Sequence, residues 1–502
     1  MKSIIIKYFL ILFYSNVAFA QFSVADVFTD NMVLQRNRPI HIYGKGIPEK
    51  EVVIKFLSKN KKVRVAKDST WHIYYKKQKA CLVPQSIIIA SGNTKIIVEN
   101  ILIGDVWLCI GQSNMEWPML KEKYYLDEKK VADRPLLRFY NATYAGKGVY
   151  NESYSDSILQ LLHKDKFYKG KWQVSDTNSI KKMSAVAYYF GKEILVSENI
   201  PIGLINLAIG GCPIESFMDE KVLLEDSRFS KKAKGNWLEN NALPVWVRER
   251  GRQNIDEVIV RHSDEYGPNH PYKPGLAYKA GIVPLLNTPI KGVIWYQGES
   301  NAQEPARVFE YRFLLKKMIT DYRKKWKLPK MPFYWAQLSS IDTIKYNSKY
   351  WPEFRNEQRK LMDDLAHGGM AVTSDIGLRN NVHPTNKRDV GIRLAYWALQ
   401  QSYKRTIVPS GPLPLKAVYR SGKVKIFFNY VANGLKISGG KDLVGFSLDG
   451  KEHTRAVIKD NTIEISVKRK PEYVYYGWRP YTNANLINSS KLPASTFKIT
   501  VY

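Results

Sequence analysis

Cysteine is almost missing from this chain: Cys81, Cys109 and Cys212 are the only three in 502 residues. Three thiols build no disulfide framework, so a small cross-linked scaffold is excluded and the fold must stand on apolar cores. None of the three has metal-ligand spacing, and each lies in an apolar or glycine-rich run where a thiol acts as a small hydrophobe. Long apolar runs are missing too. The one at the start is short and broken by Ser15 and Asn16, and no later one reaches spanning length, so no stable membrane span is expected. Acidic residues are scarce beside basic ones, 46 against 77, which gives a formal net charge of +31. Such a surplus draws a protein toward polyanions. No nucleic-acid motif, internal repeat or low-complexity tract accompanies it, so nucleic acid is not an expected partner. Acidic glycans, an anionic cell surface or a merely solubilising basic shell account for the charge.

What is present reads as a folded chain: 44% hydrophobic, 25% charged and 13% aromatic, and too long for one core. Residues 1–20 carry Lys2 and Lys7, a short apolar stretch and the small-residue pattern Ala18-Phe19-Ala20. That is the form of a secretory signal peptide, and it places the mature chain in the periplasm or outside the cell.

Residues 21–100 alternate with period two between Gly, Pro and Lys clusters, as in "PIHIYGKG" and "EVVIKFL", which predicts an N-terminal β module. Residues 101–405 change character. "VWLCIG", "IGLINLAIGG", "KGVIWYQGES", "MPFYWAQL" and "MAVTSDIG" are near-continuous apolar runs, as in parallel strands covered on both faces. Between them lie helical patterns: Val308, Tyr311, Leu315, Met318 and Tyr322 share one face of a predicted helix. The alternation predicts an α/β sheet flanked by helices. A polar stretch at 217–278 predicts a helical insertion or a lid, and residues 406–502 return to β patterning as a C-terminal module.

Ligand sites in α/β sheets lie beyond the carboxyl ends of the strands. There this sequence sets Gln112-Ser113-Asn114, Gly210-Gly211, Gln297-Gly298-Glu299-Ser300-Asn301, and Asp375 followed by His383. Together they supply a hydroxyl nucleophile, an imidazole base, carboxylates to orient it and N–H groups for an oxyanion, the parts of acyl transfer. Each alone reads as a turn, a cap or a surface residue.

The blocks "GQSNMEWP", Gly210 to Glu215, "IKGVIWYQGESNA" and "VHPTNKRDVGIRLA" resemble the sialate O-acetylesterase group of the SGNH (GDSL-like) hydrolases. "FTDNMVLQRNRPIHIYGKG" and "YGWRPYTNANLINSSKLPASTF" extend the resemblance to both ends of the mature chain. It implies an SGNH-hydrolase-like parallel sheet and hydrolysis of O-acetyl esters on sugars, with no metal or cofactor. Carried over, Ser113 is the nucleophile and His383 the base. The oxyanion is held by the N–H groups of Ser113 and Gly211 and by an amide from Gln297 or Asn301. The superfamily's orienting aspartate stands three residues before the histidine, where this chain has Asn380, so Asp375, Glu299 or a backbone carbonyl is left for that role. Gln112, Asn114, Trp117 and Arg355, with basic residues of the insertion, are candidates to contact the substrate, expected to be an acidic O-acetylated sugar or glycan.

Acetylated xylan or pectic sugars are the alternative substrates. A non-catalytic glycan-binding protein is the alternative of a different class. A glycosidase pairing Glu299 with Asp375 is a third, and it leaves Ser113 without a role.

Overall fold

The computed structural model describes residues 22–255, 262–343 and 346–502. The expected signal peptide at 1–20 lies outside them, as do 256–261 of the polar insertion. The apolar runs become strands: β1 (Thr94–Gly111), β2 (Arg134–Asn141), β3 (Trp172–Ser175), β4 (Ile202–Asn206), β5 (Gly292–Tyr296), β6 (Phe333–Ala336) and β7 (Gly368–Ala371). Their order across the sheet is β3-β2-β4-β1-β5-β6-β7. Every pairing is parallel except that of β3, an antiparallel edge strand.

Helices follow the strands: α1 (Ser113–Glu116), α2 (Ala185–Glu198), α3 (Val245–Asn254), α4 (Pro305–Lys325), α5 (Trp351–Asp364) and α6 (Arg388–Ser402). Tryptophans mark the two faces of the sheet, because successive strand residues point opposite ways. On one face Trp107 meets Phe190 of α2, ring centroids 5.0 Å apart, and Trp397 of α6 covers Gly369. On the other, Trp295 donates to the Tyr311 hydroxyl of α4 at 3.1 Å, and Trp335 to the Gln358 carbonyl of α5 at 3.2 Å. The five residues expected on one face of α4 are all buried. An α/β sheet covered on both sides is thus borne out. Among the described residues no helix is long and apolar enough to cross a membrane.

The N-terminal β module is continuous with this sheet. The first half of β1 pairs antiparallel with the strand Cys81–Ser91, and its second half lies parallel between β4 and β5. The junction expected at residue 100 therefore falls inside one strand. One hydrophobic core runs from Val27 to Leu413, while the C-terminal module has its own, from Ala417 to Val501. The boundary near 405 falls between α6 and the strand Leu413–Arg420.

Candidate active site

The strand β1 stops where it does because of Gly111. Its φ is +142°, and a Cβ there would stand 2.1 Å from the Tyr296 carbonyl oxygen of β5, so a side chain at this position would collide with the neighbouring strand. The next residue, Gln112, donates its N–H to that carbonyl at 2.9 Å. Its own carbonyl accepts from the N–H groups of Met115 and Glu116, each at 2.9 Å, which closes a tight turn and lifts Ser113 to the carboxyl edge of the sheet. Ser113 is half-buried there.

His383 reaches the same point from the loop after β7. Its Nε2 is 2.8 Å from Ser113 Oγ. The His383 N–H donates to Asn381 Oδ1 at 2.9 Å, and the Trp117 indole stacks on the imidazole, centroids 5.3 Å apart and planes 25° from parallel. Burial pushes the imidazole pKa down to about 4, and the charges of Lys387 and Lys121 add to the effect. The ring is neutral at physiological pH, with Nε2 placed to take the serine proton.

The two carboxylates expected beside it are elsewhere. Asp375 gives its oxygens to Arg393, at 2.6 and 2.7 Å, so it forms a two-pronged ion pair with α6 rather than the third member of a triad. Glu299 is buried and accepts a hydrogen bond from Asn114 Nδ2, with its other oxygen sealed from water and unpartnered. Its hydrogen bond to the histidine loop runs through Asn114, whose Nδ2 also reaches the Val382 carbonyl at 3.0 Å. Among the described residues no acceptor stands on His383 Nδ1, and Asn380 is exposed.

Asn114 also accepts a hydrogen bond from Lys387 Nζ, a residue that sequence reasoning passed over. Lys387 is completely buried, and burial pushes its amine down to about 7 against the opposing pull of Glu299 and Glu122. The same burial pushes the Glu299 carboxyl up. Asn114 is therefore an interior bridge between the nucleophile's turn and the histidine loop, not a sugar contact. Trp117 is likewise committed, to the face of His383.

The amide donors are distributed differently from expectation. Gln297 Nε2 donates to Asn301 Oδ1 at 2.8 Å and to the Cys212 carbonyl at 3.3 Å, and its oxygen accepts from Tyr311 at 2.8 Å. Asn301 Nδ2 donates to Glu215, itself ion-paired with the buried Lys232 at 2.8 Å. Both amides are spent inside the protein. Gln112 is the opposite case: its Oε1 is fixed by the N–H groups of Gly298 and Ser300, each at 3.3 Å, and its NH2 has no acceptor among the described residues. The N–H groups of Ser113 and Gly211 are equally free there.

Gly211 has φ +77°, and a Cβ on it would come within 2.3 Å of the Tyr272 hydroxyl. That hydroxyl donates to the Gly210 carbonyl at 2.9 Å. The described part of the insertion holds short helices, among them Glu220–Leu224 and α3, and the small hairpin Ser263–Asp264 with Gly267–Pro268, and its Tyr272 packs onto the glycine turn. Arg355, expected at the substrate, is fully buried and donates to the backbone carbonyls of Gly477, Arg479 and Pro480, the last at 3.1 Å. It clamps the C-terminal module to the α/β domain. The thiols of Cys109 and Cys212 are buried and pushed up by that burial, so neither serves as a nucleophile.

Residues 275–400, which hold the third block and the histidine loop, match the model of a carbohydrate esterase family described as sialic acid-specific acetylesterase. The chain is 28% identical over 429 residues to mouse sialate O-acetylesterase, covering 79% of this chain and 76% of that one. With the human sialate O-acetylesterase it shares 26% over 439 residues, 81% of this chain and 76% of that one. A crystal structure of a carbohydrate acetylesterase from Xanthomonas citri superimposes with a TM-score of 0.78 at 28% identity, over 96% of this chain and 100% of that one. These likenesses bear out the resemblance read from the motif blocks and the α/β architecture with flanking β modules.

Proposed function

We propose that this chain is a carbohydrate O-acetylesterase, a carboxylic ester hydrolase that releases acetate from acetylated sugars through a serine acyl-enzyme, with O-acetylated sialic acids as its first substrates. One observation carries the mechanism: Ser113 Oγ and His383 Nε2 stand 2.8 Å apart at the carboxyl edge of the sheet, beside backbone N–H groups free to receive an oxyanion.

The chemistry follows from that geometry. His383 takes the hydroxyl proton as Ser113 Oγ attacks the acetyl carbonyl, and the resulting oxyanion accepts from the N–H groups of Ser113 and Gly211 and from the Gln112 amide. Collapse breaks the bond to the sugar oxygen, which leaves with the proton from His383. Water, deprotonated by the same imidazole, then attacks the acetyl-serine, acetate departs, and the proton returns to Oγ. Among the described residues no carboxylate neutralises the imidazolium, so a dyad does the work and burial keeps its base neutral beforehand. The glycosidase reading finds no support, because Glu299 is locked to Asn114 and Asp375 to Arg393.

The net charge of +31 favours an acidic sugar over acetylated xylan, and the signal-like residues 1–20 favour export to the periplasm or beyond. The test is acetate release by the purified mature chain from O-acetylated sialic acids, acetylated xylan and acetylated pectic sugars, with Ser113→Ala in parallel. Release from the sialic acids that vanishes in the variant is the expected result. Release unaffected by the substitution overturns the serine mechanism, and release from no ester overturns the esterase reading and favours a glycan-binding protein.

A further inference from the structure

The insertion helix α3 brings an unpaired cation to the rim of the same site. Its Trp246 donates Nε1–H to the Ser300 carbonyl at 3.3 Å, and the indole lies 3.1 Å from where a Cβ of Gly211 would stand. Arg250 is four residues on, so it projects from the same face of the helix, roughly 6 Å farther along the axis. Its guanidinium sits 5.6 Å from the ring centroid of Tyr150, whose hydroxyl is 2.9 Å from the Cβ position of Gly210.

Two other cations of the region are answered from within: Lys147 by Glu116 at 2.8 Å, and Arg393 by Asp375 at 2.6 Å. Arg250 has no ion pair among the described residues, and its Nη1 is sealed from water without an acceptor. Its charge acts on the phenols of Tyr150, Tyr154, Tyr272 and Tyr346 and on the buried His270, none of which supplies a counter-charge. A half-buried charge without a counter-charge is costly, and the cost disappears when a ligand brings one. A guanidinium fork is shaped for a carboxylate.

We propose that Arg250, with the exposed Tyr150, is a carboxylate-binding subsite that selects O-acetylated acidic sugars, holding the sugar acid while its acetyl ester lies at Ser113 beside Gly211. This rests on the esterase reading above and adds a residue that decides the substrate class.

Binding separates the two ideas. Titration calorimetry of the Ser113→Ala protein with an O-acetylated sialic acid, an O-acetylated uronic acid and the methyl ester of each reads recognition without turnover. The free acids are expected to bind roughly 10- to 100-fold tighter than their methyl esters, as for a hydrogen-bonded charge pair. Adding Arg250→Met removes that gap, and Arg250→Lys, which keeps the charge but not the fork, restores part of it. Which acid gains more identifies the sugar. Equal affinity of acid and methyl ester, a gap that survives Arg250→Met, or no binding of either overturns the subsite. Failure of the wild-type chain to release acetate instead overturns the esterase reading. Should Arg250→Met fail to fold, the acid against methyl-ester comparison with Arg250→Lys decides the matter.

Discussion

Asp375 and Arg393 face each other through two hydrogen bonds of 2.6 and 2.7 Å, tying the loop after β7 to α6 eight residues before that loop delivers His383. A carboxylate in this position supports the loop and not the imidazole. Asp375→Asn is therefore expected to lower stability by about 1–2 kcal/mol, because Arg393 loses a charged acceptor. Turnover measured well below the melting temperature stays far above that of Ser113→Ala. A loss of kcat as deep as that of the serine variant, with unchanged melting, would put Asp375 back in the catalytic machinery.

A general base must be neutral to work, so kcat/KM should rise with pH through the imidazole pKa. Burial, then Lys387 and Lys121, set that value near 4, below the 6.5 of an unperturbed histidine. The acidic limb of the profile is expected there. Lys387→Met removes a positive charge that opposes the imidazolium, so the imidazolium forms more readily and the limb moves to higher pH. Methionine keeps most of the volume, which limits the packing cost. A wild-type limb at 6.5, or one that does not move in the variant, contradicts the assignment.

Two glutamines separate chemistry from structure. Gln112→Ala is expected to cost on the order of 100- to 1,000-fold in kcat, as for other lost oxyanion donors. Gln297→Ala takes a buried donor from Asn301 Oδ1 and the Cys212 carbonyl and an acceptor from Tyr311, and is expected to lower stability by about 1–3 kcal/mol. Melting curves beside single-turnover kinetics distinguish the two. The opposite pattern would return the oxyanion amide to the third block.

Gly211→Ala should be severe. The added methyl lands 2.3 Å from the Tyr272 hydroxyl at a φ of +77°, so the tyrosine must leave the Gly210 carbonyl or the turn must shift its N–H. Gly92 is the control, with φ +55° and nothing within 4 Å of the new methyl. There only backbone strain remains, roughly 1–2 kcal/mol, and activity per folded molecule is retained. Equal loss of activity in both variants would show that Gly211 is not at the reacting centre.

The positions of Ser113 and His383 were legible because short, near-continuous apolar runs stop abruptly at the carboxyl edge of a parallel sheet, where polar residues have few other reasons to gather. Their partners were not. Arg393 lies 18 residues beyond Asp375 on a helix that reads as ordinary amphipathic sequence. Lys387 stands where a helix start normally presents a solvated charge, and nothing local announces that its amine ends up against Asn114. Gln112, Gln297 and Asn301 are chemically alike in sequence, and only the tertiary network says which one keeps a free NH2. The strand β2 escaped notice because Arg134 and Arg138 break the apolar pattern, and β3 because it is a four-residue edge strand. Arg138 is nonetheless buried, donating to the Pro135 carbonyl at 2.6 Å. The junction at residue 100 misled because one strand alternates while it is half exposed and turns continuously apolar once both faces are covered.

That unbroken strand limits how the molecule can be taken apart. The peptide that ends on the nucleophile begins 19 residues earlier as the hairpin partner of Cys81–Ser91, so the register of Ser113 is anchored from the far end of the β module. Deleting that module leaves half a strand with bare edges and exposes the shared core. Anyone trimming this protein to a minimal hydrolase, or grafting its active centre onto another scaffold, must carry residues 22–413 as one indivisible cassette.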